Sequence, residues 1–247
     1  MRDSESSRPV GHVVGLWRYP VKSMAGEALA EIDVSWHGFA GDRRWAFIRD
    51  GITQSGFPWL TIRERDDMSH YSPSFVDPAQ PDQSPVIVRT PSGAIFDVTD
   101  SALAAELHPR GVRVIKQKRG IFDTFPLSLI TTLTIARLGE LVGAQLHVQR
   151  FRPNILVETA DPIPFAEDNW VGRLLRVGDM TMRVDKRDGR CSVITIDPLT
   201  TERNPAILRT VARDRGGCLG VYGSMVKPGR VAVGDPVFVE SAAIGEN

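Results

Sequence analysis

Cys191 stands directly after Arg190, with Lys186 and Arg187 a few residues upstream and an apolar, β-branched run, Val193 to Ile196, behind it. Cationic neighbours favour the ionised form of a thiol, which is both a nucleophile and a soft metal ligand. The alternative is a small buried hydrophobe beside unrelated surface arginines. The chain has 247 residues and two cysteines. That count excludes a disulfide scaffold, a four-cysteine zinc site and a four-cysteine iron–sulfur cluster within this chain. The five histidines (12, 37, 70, 108 and 147) are scattered at spacings that give no ligand pair.

Three other short loops carry basic or amide side chains: Lys22-Ser23, Asp42-Arg43-Arg44 and Arg152-Pro153-Asn154. These residue types hold a phosphate and a fused polar heterocycle. Singly, each loop reads as solvated charge. Their joint occurrence with a thiolate candidate is more informative. No Gly-x-Gly-x-x-Gly, Walker loop, His-Glu-x-x-His or Gly-x-Ser-x-Gly is present. Cys218, between a predicted helix and a strand, reads as packing.

Thirty basic side chains balance thirty acidic ones, so no global charge points to nucleic acid or an anionic membrane, and any anion site must be local. No apolar run approaches the roughly 18 residues of a membrane span. Met1 to Pro9, charged and Ser-rich, lacks the apolar core of a signal peptide and reads as a mobile tail. A cytoplasmic protein is expected.

The elements that must position these residues are mostly strands. Strand signals fall at Gly11 to Trp17, Glu27 to Ser35, Trp45 to Arg49 (with Asp50-Gly51 as a hairpin turn), Val86 to Thr90, Ala94 to Val98 and Gly111 to Lys116. Asp100 can cap a short helix ending near His108. From about Gly120 the clearest helix is Thr131 to Val142, with Leu133, Ala136, Leu138, Leu141 and Val142 on its apolar side and Gly143 stopping it. Strands are predicted at Leu174 to Val177, Met180 to Val184, Ser192 to Ile196, Leu219 to Val226, Arg230 to Val233 and Pro236 to Glu240. A second helix starts at Asn204-Pro205 and ends at Gly216-Gly217. The pattern predicts a mostly β protein with a few helices (α+β), and strands and helices do not alternate as a doubly wound sheet requires.

Phe151-Arg152-Pro153-Asn154-Ile155, Ala166 to Trp170, Arg190-Cys191 with Thr195-Ile196-Asp197-Pro198, and Val233-Gly234-Asp235-Pro236-Val237 occur in the order in which MOSC proteins show them. Tyr19 to Ser23 and Gly41 to Trp45 resemble the β-barrel domain that precedes MOSC in the mitochondrial amidoxime-reducing component and its bacterial relatives. The resemblance covers about residues 10 to 240. It implies a tail over 1–9, an N-terminal MOSC-type β-barrel-like domain over 10–119, and a MOSC β-barrel domain over 120–241 packed against it. It further implies a molybdopterin-bound molybdenum ligated by Cys191, with Lys22, Ser23, Arg43 and Arg152 on the phosphate and Asn154 on the pterin. Arg190 and Thr195 join the implied cofactor-binding set. Asp197 is read either as a catalytic group orienting the cysteine loop or standing near substrate, or as a turn former before Pro198. Glu167, Asp168 and Trp170 either shape a pocket rim or start a helix.

The implied reaction is two-electron reduction of the N–O bond of a small N-hydroxylated substrate. The cofactor carries the chemistry. Without an internal iron–sulfur cluster, electrons are expected from a separate ferredoxin or flavin reductase. A different class of function is a sulfur carrier with a persulfide on Cys191, which has no evident need for Lys22, Arg43 and Arg152 around one anion. The basic approach Lys186-Arg187-Asp188-Gly189-Arg190 suggests an anionic substrate.

Overall fold

A computed structural model describes residues 8–51 and 57–240. The expected tail lies outside the described residues except for its last two. Strands β1 (Gly11–Arg18), β2 (Glu27–Leu29), β3 (Glu31–Ser35), β4 (Gly38–Phe39) and β5 (Trp45–Arg49) come first, then β6 (Ser72–Phe75), β7 (Val86–Arg89) and β8 (Ile95–Asp97). Helix α1 (Ser101–Leu107), β9 (Val112–Lys116), β10 (Leu127–Thr131), α2 (Thr132–Val142) and β11 (Ile155–Thr159) follow. The chain continues through β12 (Leu174–Val177), β13 (Met180–Gly189), α3 (Pro205–Arg215), β14 (Cys218–Lys227), β15 (Gly229–Ala232) and β16 (Pro236–Glu240).

The central sheet runs β11-β10-β14-β13-β12-β16-β1-β2, and an additional β11–β1 pairing closes seven of these strands into a barrel. All its ladders are antiparallel except β10–β11. Closure leaves the seven strands no free edge, and alternate residues point inward. Met180, Met182 and Val184 on β13 accordingly meet Leu175, Val177, Val221 and Val237 in one core. The division expected at 119/120 is crossed by this sheet. β1 pairs with β11 and β16, so an N-terminal strand completes the barrel otherwise built from 127–240.

Residues of β5 to β9 form two small sheets, β5-β9 and β6-β7-β8, around a second core containing Phe47, Leu60, Met68, Phe75, Val88 and Leu103. β15-β3-β4 makes a third small sheet. The expected hairpin β7–β8 is present, with Ile87 opposite Asp97. After β5, Ile48 bridges Trp59 in antiparallel fashion, although part of the turn after Asp50-Gly51 lies outside the described residues.

The helices form where their caps predict. Asp100 accepts from Ala102 N at 2.8 Å, Thr131 caps α2 through Thr134 N at 3.2 Å, and Asn204 caps α3 through Ala206 N at 3.0 Å. Gly143 and Gly216 end α2 and α3 in the left-handed conformation. The buried face of α2 is Thr134, Ile135, Leu138 and Gly139, whereas Ala136 and Leu141 are exposed. The expected apolar face is thus corrected by a rotation toward Ile135, because Ile135 and Leu138 meet Ile207 and Val211 of α3 in a third core.

The strand expected over Ser192 to Ile196 is instead a 3₁₀ turn, Ser192–Thr195. Its bonds are local: Ile194 N donates to Cys191 O, and Thr195 Oγ1 donates to Ser192 O at 2.7 Å. Ile194 and Ile196 are buried without joining a sheet ladder, so their β-branched side chains here serve packing and not strand pairing.

Candidate functional site

One cleft of about 280 Å³ gathers the separate loops. Lys22, Ser23, Arg43, Arg152, Asn154, Arg190 and Cys191 all line it. Sequence reasoning missed Arg63, Asp123, Arg150, Asp188 and Tyr222, which line it too. Six cationic side chains therefore face two carboxylates, on a chain whose formal charge is zero. Local excess of this size marks an anion site.

The backbone is strained where the cations converge. Ser23 (φ 70°), Arg43 (φ 50°) and Arg152 (φ 50°) are three of the five non-glycine residues with positive φ among the described residues. Each such conformation costs on the order of 1–3 kcal/mol and persists only if its surroundings over-determine it. The surroundings here are Asp42, Tyr19 and Asn154. Asp42, fully buried, accepts from Tyr19 N at 2.7 Å, Arg43 Nη1 at 2.5 Å and Asn154 Nδ2 at 3.2 Å. The Arg43 and Arg152 guanidinium carbons lie 4.5 and 4.3 Å from the centre of the Tyr19 ring. Tyr19 donates its hydroxyl to Pro153 O at 3.0 Å, tying the first loop to the third. Burial pushes that hydroxyl up, out of the titrating range.

Charge compensation is uneven across the cleft. Burial works against the Arg43 charge, but Asp42 and Tyr19 more than restore it and leave it above its ordinary value. Lys22 Nζ sits 2.5 Å from Asp123 Oδ1 and donates to Ile121 O at 3.1 Å. Burial lowers this lysine despite Asp123. Burial alone would raise the Asp123 carboxyl, and Lys22, Arg43 and Arg152 outweigh it and hold it below the ordinary range. Arg152 donates Nη1 to Met24 O at 2.8 Å, while its buried Nη2 has no partner. Burial pushes it down to about 10.

Cys191 is exposed at the cleft, just past the end of β13. Register shifts between Val184 and Lys186 and between Arg187 and Gly189 re-aim the end of this strand, as bulges beside sites commonly do. Asp188 thereby faces the cleft, almost wholly buried. Arg190 Nη2 pairs with Asp188 Oδ2 at 2.8 Å, and the Tyr222 hydroxyl also faces this carboxylate. Burial raises the Asp188 carboxyl to about 6, against the opposing charge of Arg190.

Four expected site residues have other employment. Arg190 lines the cleft, yet it donates Nε to Leu219 O at 2.8 Å and Nη1 to Phe151 O at 2.9 Å, besides facing Asp188. Asn154 donates Nδ2 to Trp17 O and Asp42, and its Oδ1 accepts from Ser128 N at 3.2 Å. Both side chains position the walls. Thr195 and Asp197 do not line the cleft. Asp197 accepts from Arg150 Nη2 at 2.6 Å and from Leu199 and Thr200 N, which makes it a turn former and the anchor of Arg150.

Glu167 is likewise away from the cleft, accepting from Thr131 Oγ1 and Thr134 Oγ1 at the start of α2. Asp168 pairs with Arg187 and Arg215 behind β13, and Trp170 is in the barrel core. With Arg187 turned to Asp168 and Arg190 committed to the walls, the basic approach offers an anionic substrate only Lys186, which lies over Phe125.

Among the described residues no three His, Cys, Asp or Glu side chains converge to hold a metal ion. Cys191 alone cannot enclose one, so a metal here must arrive with most of its ligands already in place.

A family model described as the MOSC domain matches residues 116–238, and one described as the MOSC N-terminal beta barrel domain matches residues 10–119. The chain belongs to the MOSC family. Relatives include human mitochondrial amidoxime reducing component 2, 25% identical over 93% of this chain and 83% of the relative. The molybdenum cofactor sulfurase of Caenorhabditis elegans is 22% identical over 79% of this chain and 30% of the relative. This MOSC chain spans about a third of the length of the first curated sulfurases it matches. Among solved structures, the YUAD protein from Bacillus subtilis superposes with a TM-score of 0.51 at 12% identity, over 92% of this chain and 93% of that one, and shows the fold alone. No helix among the described residues is long and apolar enough to cross a membrane.

Proposed function

We propose that this MOSC chain binds a molybdenum–molybdopterin cofactor through Cys191 and reduces small N-hydroxylated compounds, with electrons from a separate ferredoxin or flavin reductase. The observation that carries this reading is the exposed Cys191 at a cleft where six cations face two carboxylates. The residues fit the group. Lys22, Ser23, Arg43 and Arg152 would hold its phosphate, and Arg152 Nη2 is a buried donor still without an acceptor. Cys191 Sγ would give the protein's one soft ligand to a metal otherwise carried by dithiolene sulfurs and oxo groups. When bound, the cofactor supplies the two-electron chemistry.

The chain's own residues set the stage for it. Tyr19, Asp42 and Asn154 hold the phosphate cations in place, so no reorganisation is needed on binding. N–O reduction consumes two protons with two electrons and releases water. Of the two carboxyls lining the cleft, Asp188 is the one whose burial lets it hold a proton near neutral pH. The name of one relative, molybdenum cofactor sulfurase, accords with a molybdenum cofactor site, and that of another, amidoxime reducing component, with reduction of an N-hydroxylated compound.

The test is metal and sulfur analysis of protein made in a host with an intact cofactor pathway, wild type beside Cys191→Ala. The expected result is stoichiometric molybdenum in the wild type, its loss in the variant, and viologen-driven reduction of an N-hydroxyamidine by the wild type alone. Sulfane sulfur on Cys191 without molybdenum would transfer the chain to the sulfur-carrier class.

A further inference from the structure

The rim of the cleft carries groups that the cofactor site does not use. Along the segment 118–126, Phe122, Asp123 and Phe125 line the cleft, and the exposed Lys118 and Arg119 stand at the start of the same segment. At its end Pro126 packs against the backbone of Gly38, where a side-chain carbon would stand 2.9 Å from Pro126 O. Two residues before Gly38, in the turn between β3 and β4, Trp36 is 63% exposed. Lys186, also exposed, lies over Phe125 with its Nζ 5.7 Å from the ring centre.

These three cations are left without counter-charges, because the carboxylates near them are taken. Asp82 pairs with Arg44, Asp123 with Lys22 and Asp185 with Arg183. An unbalanced local charge on a chain of zero formal charge steers partners of opposite sign. Tryptophan is among the residue types enriched as anchors of protein interfaces. The dimensions suit one small footprint. From Lys118 to Pro126 the chain spans at most roughly 28 Å. Weak electron-transfer complexes bury less than about 1,200 Å² in all, a patch of roughly 28 Å across on each partner. Cys191 is exposed at the same cleft, and electron transfer weakens steeply with distance, so a donor is effective only where it covers this mouth.

We infer that this rim is the docking face of an acidic electron-transfer protein, with Trp36 as apolar anchor and Lys118, Arg119 and Lys186 as the contacts of complementary charge. The inference deepens the proposed function and rests on its need for a separate donor. Each N–O bond reduced takes two electrons, so a one-electron carrier must dock and leave twice per turnover, which a small, charge-steered face permits. An anionic membrane surface would also meet cations and a tryptophan, but it delivers no electrons to the cleft.

The experiment is calorimetric titration of the full chain with an oxidised plant-type [2Fe–2S] ferredoxin as the acidic probe, in about 20 mM and about 200 mM salt. Basic cytochrome c is the charge control, and vesicles of anionic phospholipid are the membrane control. Wild type is expected to bind the ferredoxin, with an affinity that falls at least about tenfold across that salt range. Lys118→Glu combined with Arg119→Glu, and Trp36→Ala on its own, should each weaken binding about tenfold in low salt. None of these three residues lines the cleft, so viologen-driven turnover should stay at the wild-type level in both variants. Ferredoxin binding of wild-type strength in both variants would overturn the inference, as would equal affinity for ferredoxin and cytochrome c. A chain that sediments with the vesicles and does not bind the ferredoxin would overturn it in favour of a membrane. Absence of viologen-driven turnover in the wild type would instead count against the proposed reduction, and the titration still decides the docking face.

Discussion

Asp42 bears more of the site's geometry than any residue with obvious chemistry, and Asp42→Ala measures this. The side chain is fully buried and accepts three hydrogen bonds, from Tyr19 N, Arg43 Nη1 and Asn154 Nδ2. Truncation leaves Arg43, only 15% exposed, without its counter-charge, and leaves two neutral donors without acceptors. Breaking a buried ion pair from one side costs about 3–5 kcal/mol. Taking about 4 kcal/mol, and about 2–4 °C per kcal/mol for a chain of this size, Tm should fall by roughly 8–16 °C. The assay is thermal and urea unfolding of wild type, Asp42→Ala, Arg43→Met and the double variant. Most of the penalty comes from an abandoned cation, so the double variant should be no less stable than Asp42→Ala alone, with a coupling of about 2–3 kcal/mol. A Tm change below about 3 °C for Asp42→Ala, or strictly additive penalties, would refute the account of Asp42 as anchor of the cation loops.

Two further outcomes follow from the structure. Asp188 is an acid whose folded value is raised to about 6, so the native state binds the extra proton and stability falls as pH rises from about 4 to 6, remaining lower above that. Relative to Asp188→Asn, wild type should lose roughly 2–2.5 kcal/mol between pH 4 and 7, and parallel pH–stability curves for the two proteins would show that this carboxyl is not perturbed. Asn204→Ala removes the cap of α3, away from the cleft, and should cost about 1 kcal/mol in denaturant titration while molybdenum content per chain stays at the wild-type level.

The sequence was most informative where the physics is local. The capping residues Asp100 and Asn204, the glycines that end α2 and α3, and the β7–β8 hairpin depend on neighbours within a few positions, and each appears where expected. β10 was missed because Leu127–Thr131 is buried at all five positions and lacks the alternation that signals a half-exposed strand. In the cleft, the residue types Lys22, Ser23, Arg43, Arg152 and Cys191 were legible, since cations and a thiol announce their chemistry. Which of the cations remain available was not. Arg187 and Arg190 look alike in sequence, but Arg187 faces Asp168 and Arg190 ties β13 to Phe151 and Leu219. Arg150 and Asp188 carried no motif, and only the tertiary structure brings them to the same wall. The nearest signal for Asp188 was its place three residues before Cys191.

Long-range ties of this kind also explain why no single motif suffices. Lys22, Ser23 and Arg43 come from loops that follow β1 and β4, whereas Arg152 and Cys191 come from segments beside β11 and β13. Asp42 bonds Asn154, Tyr19 bonds Pro153 O, and Arg43 Nη2 bonds Arg152 O at 3.1 Å, so each half fixes the strained backbone of the other. Neither half alone would hold Ser23, Arg43 and Arg152 in left-handed conformations with the two guanidinium groups and the hydroxyl lining one cleft. An anion bound there is then in contact with both halves, and its binding free energy adds to the stability of the assembled site rather than of either part. β1 strengthens the same coupling, because it leads into the Lys22 loop while completing the barrel whose β13 presents Cys191.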